Sequence, residues 1–173
     1  MLHKNKLRIM ALFFEEPARN FQLRETSRIT GIAVTSAKKY LKELLAEGLV
    51  RKSSETLYPS YLANETNSMF RVYKQVDMLL KIHSSGLVEY LEKTTLPNCI
   101  ILFGSARKGE YTKKSDIDVF VQSAEHKLEL KAFEKKLNHR INVMFEADLK
   151  NLSKELLNNL INGIVLYGFL KVK

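Results

Sequence analysis

The sequence predicts an α+β protein in two parts, the first mainly helical and the second a small α/β domain with a mixed sheet. Three observations carry that expectation. Residues 7–47 place apolar side chains at helical spacing in three short runs, and two β-like pieces follow. An amphipathic stretch begins after Asn64. Beyond Pro97, apolar runs of strand length alternate with amphipathic runs of helix length. The expected boundaries are 1–64 for the first domain, 65–94 for a helical connector and 95–173 for the second domain.

The chain of 173 residues is 45% hydrophobic and 27% charged, the composition of a soluble globular protein. No apolar stretch approaches the roughly 18 residues of a membrane span, so no membrane partner is expected. MLHKNKLRIM lacks a signal peptide's cleavage region, and a cytoplasmic location is the expectation. A single cysteine, Cys99, heads an apolar run and reads as a buried thiol. His3, His83, His126 and His139 are scattered without metal-ligand spacing. The net charge is +9, with 11 Lys/Arg against 6 Asp/Glu in residues 1–64 and 17 against 13 in 65–173. The first third is therefore the denser cationic surface, suited to a polyanion.

KLRIMALFFEE has apolar residues at Leu7, Ile9, Met10, Leu12, Phe13 and Phe14, a helix that Pro17 and Asn20 end. RNFQLRETSRITGI supplies a short Phe-x-Leu segment, a helix of about two turns, and Gly31 as its turn residue. The clearest helix runs from Val34 to Glu47. Val34, Ala37, Leu41, Leu44 and Leu45 form its stripe, and Gly48 stops it. Thr35, Ser36, Lys38, Lys39 and Lys42 lie off that stripe. LVRKSSETLYPSYLA then reads as two β pieces around a polar Ser-Ser-Glu-Thr turn.

This order resembles a winged helix-turn-helix DNA-binding domain over residues 1–64. The resemblance implies that DNA is a partner. Thr35, Ser36, Lys38, Lys39 and Lys42 would face the major groove, while Arg51 and Lys52 at the hairpin's root would reach phosphates. The same surface also suits docking to a protein.

In the connector, Met69, Phe70, Tyr73, Val76, Leu79 and Leu80 recur at helical spacing over about five turns. Ser84-Ser85-Gly86 interrupts, and Leu87 to Glu92 reads as one more short helix. The apolar stripe suits two roles, a homodimer interface that would present two DNA-binding domains to two half-sites, or packing on the chain's own second domain.

After Pro97 the expected order is a buried strand (NCIILFG), a second strand (DIDVFVQ) and a helix (EHKLELKAFEKKLNH, with Leu128, Leu130, Phe133 and Leu137 apolar). A third strand (RINVMFEA), a helix (DLKNLSKELLNNLIN) and a final strand (GIVLYGFLKV) complete it. Between the first two strands lies ILFGSARKGEYTKKSDIDVFV. On a strand, Asp116 and Asp118 share one face while Ile117 turns to the core. Two carboxylates that close repel unless a cation lies between them, and hard oxygen ligands at this spacing suit Mg2+ or Mn2+. Gly104 lets backbone approach a ligand, and Ser105 offers a hydroxyl and an N–H. Arg107, Lys108, Lys113 and Lys114 make the intervening loop basic.

Gly104-Ser105 and Asp116-x-Asp118, with Gly109 and Ser115 between them, resemble the minimal nucleotidyltransferases of the polymerase-β superfamily. The resemblance covers residues 85–173 and includes the closing GIVLYG. It implies metal-dependent transfer of a nucleoside monophosphate from an NTP to a hydroxyl of a protein or small molecule, with release of pyrophosphate. Asp116 and Asp118 would hold the metal ions and serve catalysis. Gly104 and Ser105, with Arg107 and Lys113, would hold the nucleotide. Small family members act as antitoxin-like partners that nucleotidylate a toxin, which implies a toxin-like protein partner here.

One position departs from the family. A third carboxylate belongs on a later strand, and the aligned residue in RINVMFEA is Asn142, a neutral amide and a very poor base. Glu146 shares its face but lies ~13 Å further along a regular strand. Two functions stay open, an active transferase and a transcriptional regulator whose transferase domain only binds or senses a nucleotide.

Overall fold

Residues 4–53 and 58–170 are described by the computed structural model, and they fall into two units, Met1–Lys74 and Gln75–Lys173. In the first unit, helix α1 (Lys4–Glu15) ends ahead of Pro17. Strand β1 (Phe21–Gln22) leads directly into α2 (Leu23–Thr30), where the Gln22 N–H donates to Glu25 Oε2 at 3.3 Å. Gly31, at φ +64°, supplies the left-handed residue that ends α2. Helix α3 (Val34–Ala46), β2 (Val50–Ser53) and β3 (Ser60–Ala63) follow. Residues 54–56 of the expected polar turn lie outside the described residues.

The three strands form an antiparallel sheet in the order β1-β3-β2, which makes β2 an edge. Ile9, Met10, Phe13 and Phe14 of α1 are fully buried, and Phe13 meets Phe21 edge-on with ring centroids 5.2 Å apart. The buried arc of α3 is Ala37, Tyr40, Leu41 and Leu44. Val34, expected on that stripe, is 44% exposed because it opens the helix where its face runs past the core.

Helix α4 (Ser68–Ser85) holds the boundary between the units, within the stretch expected to be a connector. Its buried positions are Phe70, Lys74, Met78, Ile82 and Ser85. Met69, Val76 and Leu80, assigned from sequence to one apolar stripe with Phe70, are instead exposed. The step of four from 70 to 82 sets the buried line, and apolar residues off that line remain outside.

In the second unit, α5 (Leu87–Thr95) precedes β4 (Cys99–Phe103), α6 (Gly104–Lys108), β5 (Ile117–Val121), α7 (Lys131–Leu137) and β6 (Ile141–Phe145). A 3-10 turn (Leu149–Asn151), α8 (Lys154–Ile161) and β7 (Ile164–Gly168) close it. The four strands form a mixed sheet ordered β6-β5-β4-β7, with β5 and β6 parallel and the other pairs antiparallel. Cys99, Ile101, Phe120 and Leu160 form a buried cluster against which Met144 and Leu156 pack.

Helix α7 is shorter than its sequence pattern suggests, since residues 125–130 are not helical. There the Glu129 N–H donates to the Tyr90 hydroxyl at 2.9 Å, so α5 meets a backbone demand that a helix would have met internally. The next expected helix likewise divides into the 3-10 turn and α8, which Ser153 caps by accepting the Leu156 N–H at 3.2 Å. Among the described residues, no helix is long and apolar enough to cross a membrane.

Candidate functional site

Strand β4 brings the chain to the site, and a glycine lets it turn there. Phe103 is still in register with Asp118, and Gly104 opens α6 at φ +71°. A Cβ at Gly104 would collide with the Asp118 carboxylate. Glycine is therefore required both for the left-handed backbone and for the close approach of an anionic side chain. Ser105 follows in the same turn, and its carbonyl accepts the Glu110 N–H at 3.0 Å. Arg107 is half-buried, and its carbonyl accepts a hydrogen bond from Gln75 Nε2 at 2.7 Å.

The carboxylates arrive through a tight turn. Ser115 N–H donates to the Thr112 carbonyl at 2.9 Å, and Thr112 N–H donates to Ser115 Oγ at 2.9 Å. Exposed Asp116 and half-buried Asp118 then flank Ile117, which is fully buried. From the far side, the segment before β6 fixes this start. The Ile117 N–H donates to the Arg140 carbonyl at 2.8 Å, and His139 Nδ1 lies 2.8 Å from the Ser115 carbonyl. His139 is buried and meets the Tyr111 ring edge-on at 5.7 Å.

Parallel pairing of β5 with β6 puts Asn142 beside Asp118, and Asn142 Nδ2 donates to Asp118 Oδ1 at 3.1 Å. Where a third carboxylate would repel Asp118, the amide bonds to it. Glu146 does not substitute, because its Oε1 accepts the Asp148 N–H at 2.9 Å and Asn151 Nδ2 at 3.2 Å.

Among the described residues, no group of three or more His, Cys, Asp or Glu is placed to hold a metal. The aspartate pair with a neighbouring amide is thus no all-protein cage. It does fit Mg2+, which takes one or two carboxylates and draws its remaining ligands from water and substrate phosphates.

Beside Asp116 opens a cleft of about 450 Å³ walled by Lys113, Lys114, Glu134 and Arg140 over His139. Sequence reasoning did not assign Glu134, His139 or Arg140 to a site. They belong to α7 and the turn after it, and only the β5–β6 register brings that turn to Asp116; no motif announces it. Asp118 thus meets both Gly104 and Asn142, and Lys113 joins Asp116 at the cleft, whereas no contact places the Arg107 side chain among them.

In the first unit, Thr35, Lys38, Lys39 and Lys42 are exposed on α3 and Ser36 is half-buried. Arg51 and Lys52 are exposed on the edge strand β2. Lys39 Nζ lies 5.9 Å from the centroid of the Tyr40 ring. By contrast, Lys6 of α1 is buried and paired with Glu43 and Glu47, which removes it from the outward-facing charge.

Residues 86–169 match the family model described as Polymerase beta, Nucleotidyltransferase. Comparison with curated proteins and with solved structures yields no match. The matched span runs from the glycine before α5 to the residue after β7 and contains Gly104, Ser105, Asp116, Asp118 and Asn142. It supports a nucleotidyltransferase domain in the second unit and nucleotidyl transfer in general.

Proposed function

We propose that the second unit binds an NTP with Mg2+ or Mn2+ and transfers its nucleoside monophosphate to a hydroxyl acceptor, a protein such as a toxin-like partner or a small molecule. The observation that carries this reading is the juxtaposition of the Gly104-Ser105 turn with the Asp118 carboxylate, together with the family match. Asp116 and Asp118 would hold the metal, which when bound supplies charge neutralisation at the attacking and leaving oxygens. Gly104 and Ser105 offer backbone N–H groups and a hydroxyl to the β- and γ-phosphates, Arg107 adds charge from the same short helix, and Lys113 adds charge beside Asp116. In the reaction, the acceptor oxygen bonds to the α-phosphorus as the bond from phosphorus to the α–β bridging oxygen breaks. Pyrophosphate leaves with that electron pair, and the hydroxyl proton passes to water, since Asn142 cannot accept it.

The test supplies NTPs radiolabelled at the α-phosphate, with Mg2+ or Mn2+, to the protein and cell lysate. An Asp116→Asn/Asp118→Asn variant serves as the control. Label transfer by the native chain alone is expected; binding of metal and NTP with no transfer of any nucleotide overturns the enzyme. Asn142 favours a second reading in that event, a regulator that senses a nucleotide, because its hydrogen bond quiets Asp118 without providing a base.

For the first unit, we infer DNA binding of the winged helix-turn-helix kind. The order α1-β1-α2-α3-β2-β3 and the antiparallel sheet support it. So does an α3 surface of hydroxyls and lysines beside Arg51 and Lys52 on an edge strand.

A further inference from the structure

The geometry points to an acceptor that carries a phosphate group close to its reacting hydroxyl, seated in the cleft beside Asp116. This inference rests on the transferase reading and names its substrate class.

Sheet order supplies the first step. Asp116 and Asp118 stand at the start of β5, an inner strand of the sheet ordered β6-β5-β4-β7, with β6 on one side and the Gly104-Ser105 turn after β4 on the other. An in-line displacement needs the attacking and leaving oxygens on opposite sides of the α-phosphorus. With pyrophosphate leaving toward Gly104-Ser105, the acceptor hydroxyl arrives from the β6 side. The cleft of about 450 Å³ beside Asp116 is lined by residues 138–140, which lead into β6.

Charge supplies the second step. Lys113, Lys114 and Arg140 present three cations to the cleft against the carboxylates of Asp116 and Glu134. Glu134 is already engaged, its Oε1 accepting the Ile141 N–H at 3.0 Å, and Asp116 is assigned to the metal. Among the described residues, none of the three cations is in an ion pair. The three residues line one cleft, and a guanidinium beside an ammonium suits a phosphate, with arginine providing two donors at once.

Rigidity supplies the third. The backbone that carries Arg140 is tied to the carboxylate strand by the Ile117 N–H to Arg140 carbonyl hydrogen bond and by the buried His139 against the Ser115 carbonyl. A phosphate fixed by Arg140 and Lys114 would therefore set its neighbouring hydroxyl against the metal site with little freedom.

The experiment uses the full chain labelled with 15N. It is saturated with Mg2+ and an NTP analogue whose α–β bridging oxygen is replaced by carbon. Two phosphate probes are titrated separately, a nucleoside 5′-monophosphate as a free small molecule and a short single-stranded oligonucleotide as a polymer end. Amide shifts in residues 113–116 and 138–140 are expected. The probe that produces them at lower concentration identifies the source of the phosphate. Lys114→Gln/Arg140→Gln should weaken that binding by about tenfold or more while the analogue's shifts at Gly104 and Ser105 persist. Probe shifts confined to 104–108, or absent from the cleft while the analogue binds, overturn the acceptor class and leave the nucleotide site standing. Failure of the analogue itself to shift Gly104 and Ser105 overturns the transferase reading and this inference with it.

Discussion

Asn142 and Gly104 control the same carboxylate from opposite sides of β5, and their replacement should separate stability from ligand binding. Asn142→Asp exchanges a hydrogen bond to Asp118 for a like charge. Without metal it should destabilise the protein by about 1–2 kcal/mol, and Mg2+ should restore much of that, as read by urea midpoints with and without the ion. If the native amide limits proton removal, the same variant should raise label transfer. Gly104→Ala faces a left-handed φ and a collision with Asp118, a cost of about 1–3 kcal/mol and the loss of NTP binding in calorimetry. Cys99 offers a pH-dependent check on the core. Burial pushes its thiol up to about 11. The folded state thus holds that proton more tightly than the unfolded chain does, so the contribution is constant below about pH 8.5 and is lost as pH rises toward 11. Cys99→Ala should flatten the alkaline fall of the urea midpoint, and the native thiol should resist thiol reagents at neutral pH. At this scale the position of Asn142 was legible from its alignment with the family pattern, whereas its hydrogen bond to Asp118 comes from the β5–β6 register. Arg140 and His139 were not legible, because their site membership depends on a long-range register.

The helices show what periodicity reports and what it omits. Helix α3 was legible in its bounds because Gly48 punctuates it and its charges avoid one face, yet Val34 of the expected stripe is exposed and Tyr40, which was not assigned to it, is buried. In α4, apolar residues occupy more than one face, so spacing alone could not choose between the line through Met78 and Ile82 and the one through Val76 and Leu80. Helix α7 lost its expected first turns to a hydrogen bond that the Glu129 N–H donates to the Tyr90 hydroxyl, a partner remote in sequence. Strands β4 and β5 were legible because Pro97 and Gly104 bracket one short apolar run and Asp116 opens the next. The exposed face of α3 carries the element-scale prediction. If Lys38 and Lys39 contact phosphates, Lys38→Ala/Lys39→Ala should weaken DNA binding at every sequence tested. It should also reduce the slope of log affinity against log salt by about 2. Fluorescence anisotropy across a salt series reads both; unchanged affinity and slope would assign α3 to protein docking.

Each unit has its own sheet and its own buried side chains, so each ligand should protect a different part of the chain. Anything that binds only the folded state stabilises it by mass action, by about 2.7 kcal/mol when its concentration is a hundred times Kd. For a unit spanning 75–173, that corresponds to a rise in its transition of on the order of 10 °C. Mg2+ with a non-hydrolysable NTP analogue should therefore raise one calorimetric transition, and a DNA duplex should raise another. The Asp116→Asn/Asp118→Asn variant, or removal of divalent ions with a chelator, should abolish the first rise and leave the second. Lys38→Ala/Lys39→Ala should do the reverse. The crossed design matters because a single ligand could raise the whole profile through nonspecific charge neutralisation of a chain with net charge +9. Such an effect would survive both pairs of substitutions and shift both transitions together, and that outcome would overturn the assignment of NTP to the second unit and DNA to the first.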